Sequence, residues 1–246
     1  MKIKNLPFAV VTLFVATLSS HAAVIVNWQN DAVTGTDTTA PATTVATGVS
    51  SSSLSQLIGG TAGWPDTLAG LQNSASVNSL ATAISAGDYF SFTVTSDASI
   101  EASYSSLFLR YSVAANTQPA QTTFSLLSSV TGFTSLDSID SFTADATVGG
   151  LITGTGTFDL SSTSALQSIA AETPVEFRVY IYNTGTNPMT RIGIGQGFAT
   201  NGTPDLTLNG ELVAIPLPEP STPAFLGMGL AAIFVIRRGR ACKQLS

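Results

Sequence analysis

The clearest signal in the chain is an alternation of apolar and polar positions that begins near residue 88. Phe90, Phe92 and Val94 alternate with Ser91, Thr93 and Thr95, the period-2 pattern of a strand with one buried face. The apolar run from Ile100 to Val113, with Tyr104, Leu107, Leu109 and Tyr111, predicts one or two more strands. Thr123 to Leu126, Ser141 to Thr143 and Gly154 to Leu160 continue the style. Val175, Phe177, Val179 and Ile181 against Glu176, Arg178, Tyr180 and Tyr182 is the most regular case, and Ile192 and Ile194 follow it. Leu206 to Val213 reads as a hairpin. Asn209-Gly210 between two alternating runs suits a type I′ turn, whose two central residues need φ > 0.

Upstream the pattern fades. Val24-Ile25-Val26 predicts a short strand, but residues 31–60 are dominated by Thr, Ser, Ala and Gly. With so little apolar surface to bury, that stretch is expected to be a loop-like lead-in, with a helical turn at Leu54 to Ile58. Short helical segments are predicted at 66–84 and at 163–171, where Leu166, Ile169 and Ala170 share a face. Many strands with few helices between them predict an all-β fold, an antiparallel β-sandwich or jelly-roll-like domain over 23–215. No fixed repeat is visible, which disfavours a propeller or solenoid.

The two ends of the chain are apolar without alternation. Lys2 and Lys4 precede an almost wholly apolar run from Leu6 to Leu18, and Ser20-His21-Ala22 supplies small residues at −3 and −1. This is the layout of a secretory signal peptide over residues 1–22, cleaved after Ala22, with Ala23 as a second option. A short buried helix or an uncleaved anchor is the alternative. At the other end Pro216 to Pro223 is proline-rich, residues 224–236 are apolar and predicted to form a helix, and Arg237, Arg238 and Arg240 follow. Thirteen residues at about 1.5 Å each span roughly 20 Å, short of a hydrocarbon core of about 30 Å. Such a helix is a marginal permanent anchor, and the arginines would act as a stop-transfer cluster.

Pro218-Glu219-Pro220, the apolar helix and the terminal arginines together resemble the PEP-CTERM sorting signal of Gram-negative bacteria. The resemblance covers residues 216–246 and implies export through the Sec machinery and recognition by an exosortase. That enzyme is a membrane cysteine transpeptidase that cleaves near the motif. It also implies a transient membrane anchor, then a place on the cell surface or in the extracellular matrix. The tail from Ala241 to Ser246 is longer than usual for the family. An ordinary tail anchor is the alternative. Phe177-Arg178-Val179-Tyr180, on a strand after a short helix, further resembles the β-sandwich ectodomains of exported proteins that carry this signal.

Charge sharpens the division. The formal net charge of −6 over 246 residues averages unlike parts. Between residues 23 and 217 only Arg110, Arg178 and Arg191 are basic, against fourteen acids, a net charge of −11. An acidic chain so poor in Lys and Arg cannot neutralise phosphates, so nucleic acid is excluded as a partner.

The same interval has no His, Lys or Cys, because His21 lies in the leader and Cys242 in the tail. Ser-His-Asp and Cys-His catalysis, Schiff-base chemistry and His- or Cys-ligated metals therefore lack their residues. No cofactor is called for. Gly193-Ile-Gly195-Gln-Gly197 lacks the spacing of a dinucleotide fingerprint and reads as strand and turn.

Three options remain for the ectodomain: a structural or adhesive role in extracellular polysaccharide or biofilm, carbohydrate binding, or carboxylate glycosidase chemistry. Trp28, Trp64, Tyr180 and Tyr182 are candidates for stacking on sugar rings if exposed; core filling is the competing reading for the tryptophans. Asp137, Asp140 and Asp145 are a weak Ca²⁺ candidate, without the order of an EF-hand loop. A glycosidase would have to draw on Glu101, Glu172, Glu176 and Glu211, none in a motif; Glu176 beside Arg178 reads rather as a charge pair.

Overall fold

The computed structural model describes residues 22–29, 39–57, 71–75, 77–115, 120–147, 151–183, 190–194 and 203–216. They form fourteen strands and one short helix. The strands are β1 (Ala23–Trp28), β2 (Thr39–Ala40), β3 (Thr44–Val45), β4 (Val49–Ser51), β5 (Leu54–Leu57), β6 (Leu71–Ala75) and β7 (Tyr89–Ser96). After these come β8 (Ile100–Ala115), β9 (Ala120–Ser128), β10 (Asp140–Ala146) and β11 (Leu151–Asp159). The last are β12 (Val175–Asn183), β13 (Thr190–Ile194) and β14 (Leu206–Ala214). Helix α1 (Leu80–Ala86) lies between β6 and β7.

Two antiparallel sheets result. The first has the order β3-β1-β14-β8-β13-β6, with β11 on the other edge of β8; the second has the order β10-β9-β12-β7-β5-β2, with β4 also on β7. From β7 onward the chain changes sheet between β7 and β8, β8 and β9, β10 and β11, β11 and β12, and β12 and β13, so the alternating faces close on one core. From β7 the inward set is Phe90, Phe92 and Val94, from β12 it is Val175, Phe177, Val179 and Ile181, and all are buried. Burying an aromatic or aliphatic side chain of this size is worth about 1.5–3 kcal/mol each. Trp28 meets Phe92 at 4.5 Å between ring centroids, and Phe92 stacks on Phe177 at 5.2 Å.

β8 is the spine of sheet 1. β14 lies along its Ile100–Leu109 half and β13 along Tyr111–Ala115, on the same side. Arg110 falls at the junction. Its N–H donates to the Asp205 carbonyl at 2.7 Å, its Nε lies 3.9 Å from the Asp205 carboxylate, and the Asp205 N–H donates to the Trp28 carbonyl at 2.8 Å. The ion pair fixes the point where the chain rejoins the sheet.

Several local expectations are corrected. Leu206 to Val213 is not a hairpin: β14 runs straight through Asn209-Gly210, pairing with β1 and β8. Both neighbours shift register there, leaving Ile25 and Ser105 as extra residues opposite the pair. A Cβ at Gly210 would run into the Ser103 carbonyl, so the glycine serves close backbone approach at a double bulge rather than a turn. Residues 39–57, expected to be loop-like, carry four short strands, and Leu54 to Leu57 is a strand instead of a helical turn. Ala40 and Leu54 anchor β2 and β5, which pair with each other; β5 and β4 pair with β7, itself already buried on its inner face, and β3 pairs with β1.

The helix expected over 66–84 is confined to Leu80–Ala86, while Leu71–Ala75 is a strand on β13. Ser79 starts the helix as a capping box with Thr82, and Gly87, at φ 74°, ends it in the left-handed conformation. Over 163–171 only Ser164–Leu166 is helical, as one 3₁₀ turn. No helix among the described residues is long and apolar enough to cross a membrane, and residues 224–236 lie outside them.

Candidate functional site

The most developed polar arrangement lies on the outer face of sheet 2. Strand alternation sends Phe177, Val179 and Ile181 inward, so Glu176, Arg178, Tyr180 and Tyr182 form one outward row. Helix α1 packs across this row. Ala83, Leu127 and Tyr180 make a small second core, flanked by half-buried Leu80, Ile84, Tyr89, Phe133 and Tyr182.

Arg178 organises the face. Its Nε donates to Glu176 Oε1 at 2.8 Å and its Nη2 to Oε2 at 3.2 Å, the fork geometry in which guanidinium and carboxylate match best. Nη1 donates to the Tyr180 hydroxyl at 3.4 Å. The guanidinium carbon lies 4.6 Å from the ring centre of Tyr89 and 3.8 Å from that of Phe133, both within cation–π range. Burial works against the charge on Arg178. The hydrogen bonds to Glu176 and Tyr180 outweigh it, so the guanidinium is held above the ordinary arginine value. Burial also raises the Tyr89 hydroxyl, with Arg178 pulling the other way.

The predicted stacking residues separate. Trp28 is fully buried, 0% exposed, and Tyr180 is 1% exposed beneath α1 and the Tyr89 ring. Neither offers a face to a sugar. Tyr182 is half-buried against the Ala83–Leu127–Tyr180 cluster, its hydroxyl hydrogen-bonded to Ser125 Oγ at 3.2 Å. Trp64 lies outside the described residues, as do Pro218, Glu219, Pro220, Arg237, Arg238 and Arg240. Ala22 is exposed, one residue ahead of β1.

The three aspartates do not converge. Asp137 is folded onto its own loop, its Oδ2 accepting from the Thr134 N–H at 2.8 Å and hydroxyl at 2.7 Å, and those bonds hold its carboxyl below the usual range. Asp140 accepts from the N–H groups of Ser141 and Asp159. Asp145 stands toward the other end of β10, opposite Gln121, close enough to Tyr111 to help raise that hydroxyl after burial, the larger cause. Five residues of strand separate it from Asp140, about 16 Å, and an odd step puts the two side chains on opposite faces. Among the described residues no three His, Cys, Asp or Glu side chains gather as a metal requires.

The glutamates are also dispersed. Glu176 is held by Arg178, Glu172 sits in a turn at φ 60°, and Glu101 and Glu211 lie on β8 and β14, opposite Val213 and Ser103 respectively. Sequence reading identified the Glu176–Arg178 pair but missed Tyr89, Phe133 and Asp205, which come from distant segments. Tyr89 had one usable signal, its outward place in the alternation that buries Phe90.

No family model and no curated protein matches the chain. A solved structure described as "CBM4 structure and function" aligns with 50% of this chain and 72% of its own, at 13% identity and a TM-score of 0.27.

Proposed function

We propose that the chain is an exported β-sandwich displayed outside a Gram-negative cell, in a structural or adhesive role within extracellular polysaccharide. In this reading Sec exports it and the leader is cut after Ala22. Residues 224–236 hold it transiently in the membrane against Arg237, Arg238 and Arg240. An exosortase then cleaves near Pro218-Glu219-Pro220. One observation carries the reading. Among the described residues the first strand begins at Ala23 and the last ends at Ala214, so every described strand lies between the two segments assigned to processing. Removing either end would take away none of the described strands. The termini are also placed for tethering: Ala23 pairs with Gly210, so β1 starts where β14 ends, and both segments leave sheet 1 at one end.

The test is genetic. Changing Glu219 to Ala should leave the uncleaved chain in the membrane fraction, whereas a simple tail anchor would behave identically with or without the substitution.

A second reading, a carbohydrate-binding module, is favoured by half-buried Tyr89 and Phe133 against Arg178, with half-buried Tyr182 further along the same face of β12. Aromatic faces beside charged hydrogen-bonding groups are what sugar rings require. Glycan-array binding by the wild type, lost on Tyr182→Ala, would favour it; a silent array favours the structural role.

A further inference from the structure

Strand β11 ends sheet 1 in an unusual way. Sheet edges are normally kept short, charged, bulged or interrupted by proline, because their free N–H and C=O groups are templates for another strand. β3, at another edge, has two residues, and β10, the neighbouring edge of sheet 2, carries Asp140 and Asp145. β11 has none of these protections along most of its length. It is nine residues long, Leu-Ile-Thr-Gly-Thr-Gly-Thr-Phe-Asp, in unbroken register with β8, and among the described residues β8 is its sole partner.

Which backbone groups are free follows from two bonds. The Leu160 N–H donates to the Ser105 carbonyl on β8, whereas the Asp159 N–H turns away to the Asp140 carboxylate. Antiparallel alternation then points the N–H and C=O of Thr153, Thr155 and Thr157 outward from the sheet. The side chains of all three are exposed. Among the described residues only the last outward N–H, that of Asp159, is covered.

We infer that this edge pairs with the same edge of a second copy of the chain, joining two first sheets across a two-fold axis at Thr155. The strand is self-complementary in that register. Thr153 of one copy faces Thr157 of the other, a favourable cross-strand pair. The single charge, Asp159, faces the other copy's Leu151 and so opposes no like charge. That matters for a domain carrying a net charge of −11, where most contacts between copies would set acid against acid. The inference does not depend on how the chain is exported.

Sedimentation velocity of the full chain over a range of concentrations tests it. The wild type should show a concentration-dependent dimer. Thr155→Glu places two carboxylates opposite each other on the axis, yet in the single copy it faces Arg110 across the ladder, so the fold is spared. It should weaken the dimer about tenfold or more. Register is tested by two double variants. Thr153→Glu with Thr157→Glu should separate the copies, and Thr153→Glu with Thr157→Lys should keep them together. A monomer at every concentration, or a dimer indifferent to Thr155→Glu, overturns the inference.

Discussion

Glu176 and Arg178, two residues apart on one face of β12, are joined by two hydrogen bonds of 2.8 and 3.2 Å. A pair this close in sequence is ordinarily a weak surface contact, because exposed side chains lose entropy in holding one geometry. Here the Phe133 and Tyr89 rings both lie against the guanidinium, so little freedom remains to be lost. The pair joins β12, Tyr89 of β7 and the 129–139 loop.

Arg178→Ala should therefore cost more than an average surface substitution, about 1–3 kcal/mol, through lost stacking as much as lost charge. Glu176→Gln, which keeps one acceptor and the same shape, should cost less than half of that. Urea unfolding of the two variants checks the order. Equal effects would mean that the charge pair, not the stacking, carries the face.

Gly210 and Gly87 should respond differently to alanine. At Gly210 the new Cβ meets the Ser103 backbone carbonyl and the Ile25 side chain, so the double bulge must open. We expect a loss of about 2–3 kcal/mol. At Gly87 nothing lies within 4 Å and only the left-handed backbone is strained, for a loss of about 1 kcal/mol. Thermal or urea unfolding separates the two.

These positions show what could be read from the sequence and what could not. β7 and β12 were legible because one face of each is core and the other is not, so side-chain chemistry alternates with the backbone. Asn209-Gly210 misled because the same dipeptide serves a turn or a close approach, and only the neighbouring strands decide which. The strands in 39–57 were illegible because each is two to four residues long and held by pairing with β7, β5 or β1 rather than by its own hydrophobicity. At the candidate site the Glu176–Arg178 pair was local and readable. Phe133 reaches it from a loop more than forty residues away, with no local signal. The burial of Trp28 agrees with the expectation from burial tendencies that at least one tryptophan fills the core, although its position alone does not say which.

The alkaline limb of stability should trace to Tyr104. Burial pushes its hydroxyl up to about 12, from 10.0 for the free group. The folded value exceeds the unfolded one, so the neutral tyrosine contributes fully below about pH 10 and is lost as pH rises towards 12. The loss should be about 2–3 kcal/mol. Urea midpoints for wild type should fall across that window, and Tyr104→Phe should flatten the decline. An unchanged slope would place the effect on other groups.

The central claim, a sandwich released from both ends of its precursor, is tested most directly by intact mass spectrometry of the mature protein from its native host. The account predicts a chain that starts at Ala23 and ends near Pro218–Pro220, without residues 224–246. A mature protein that keeps residues 224–246 would contradict it.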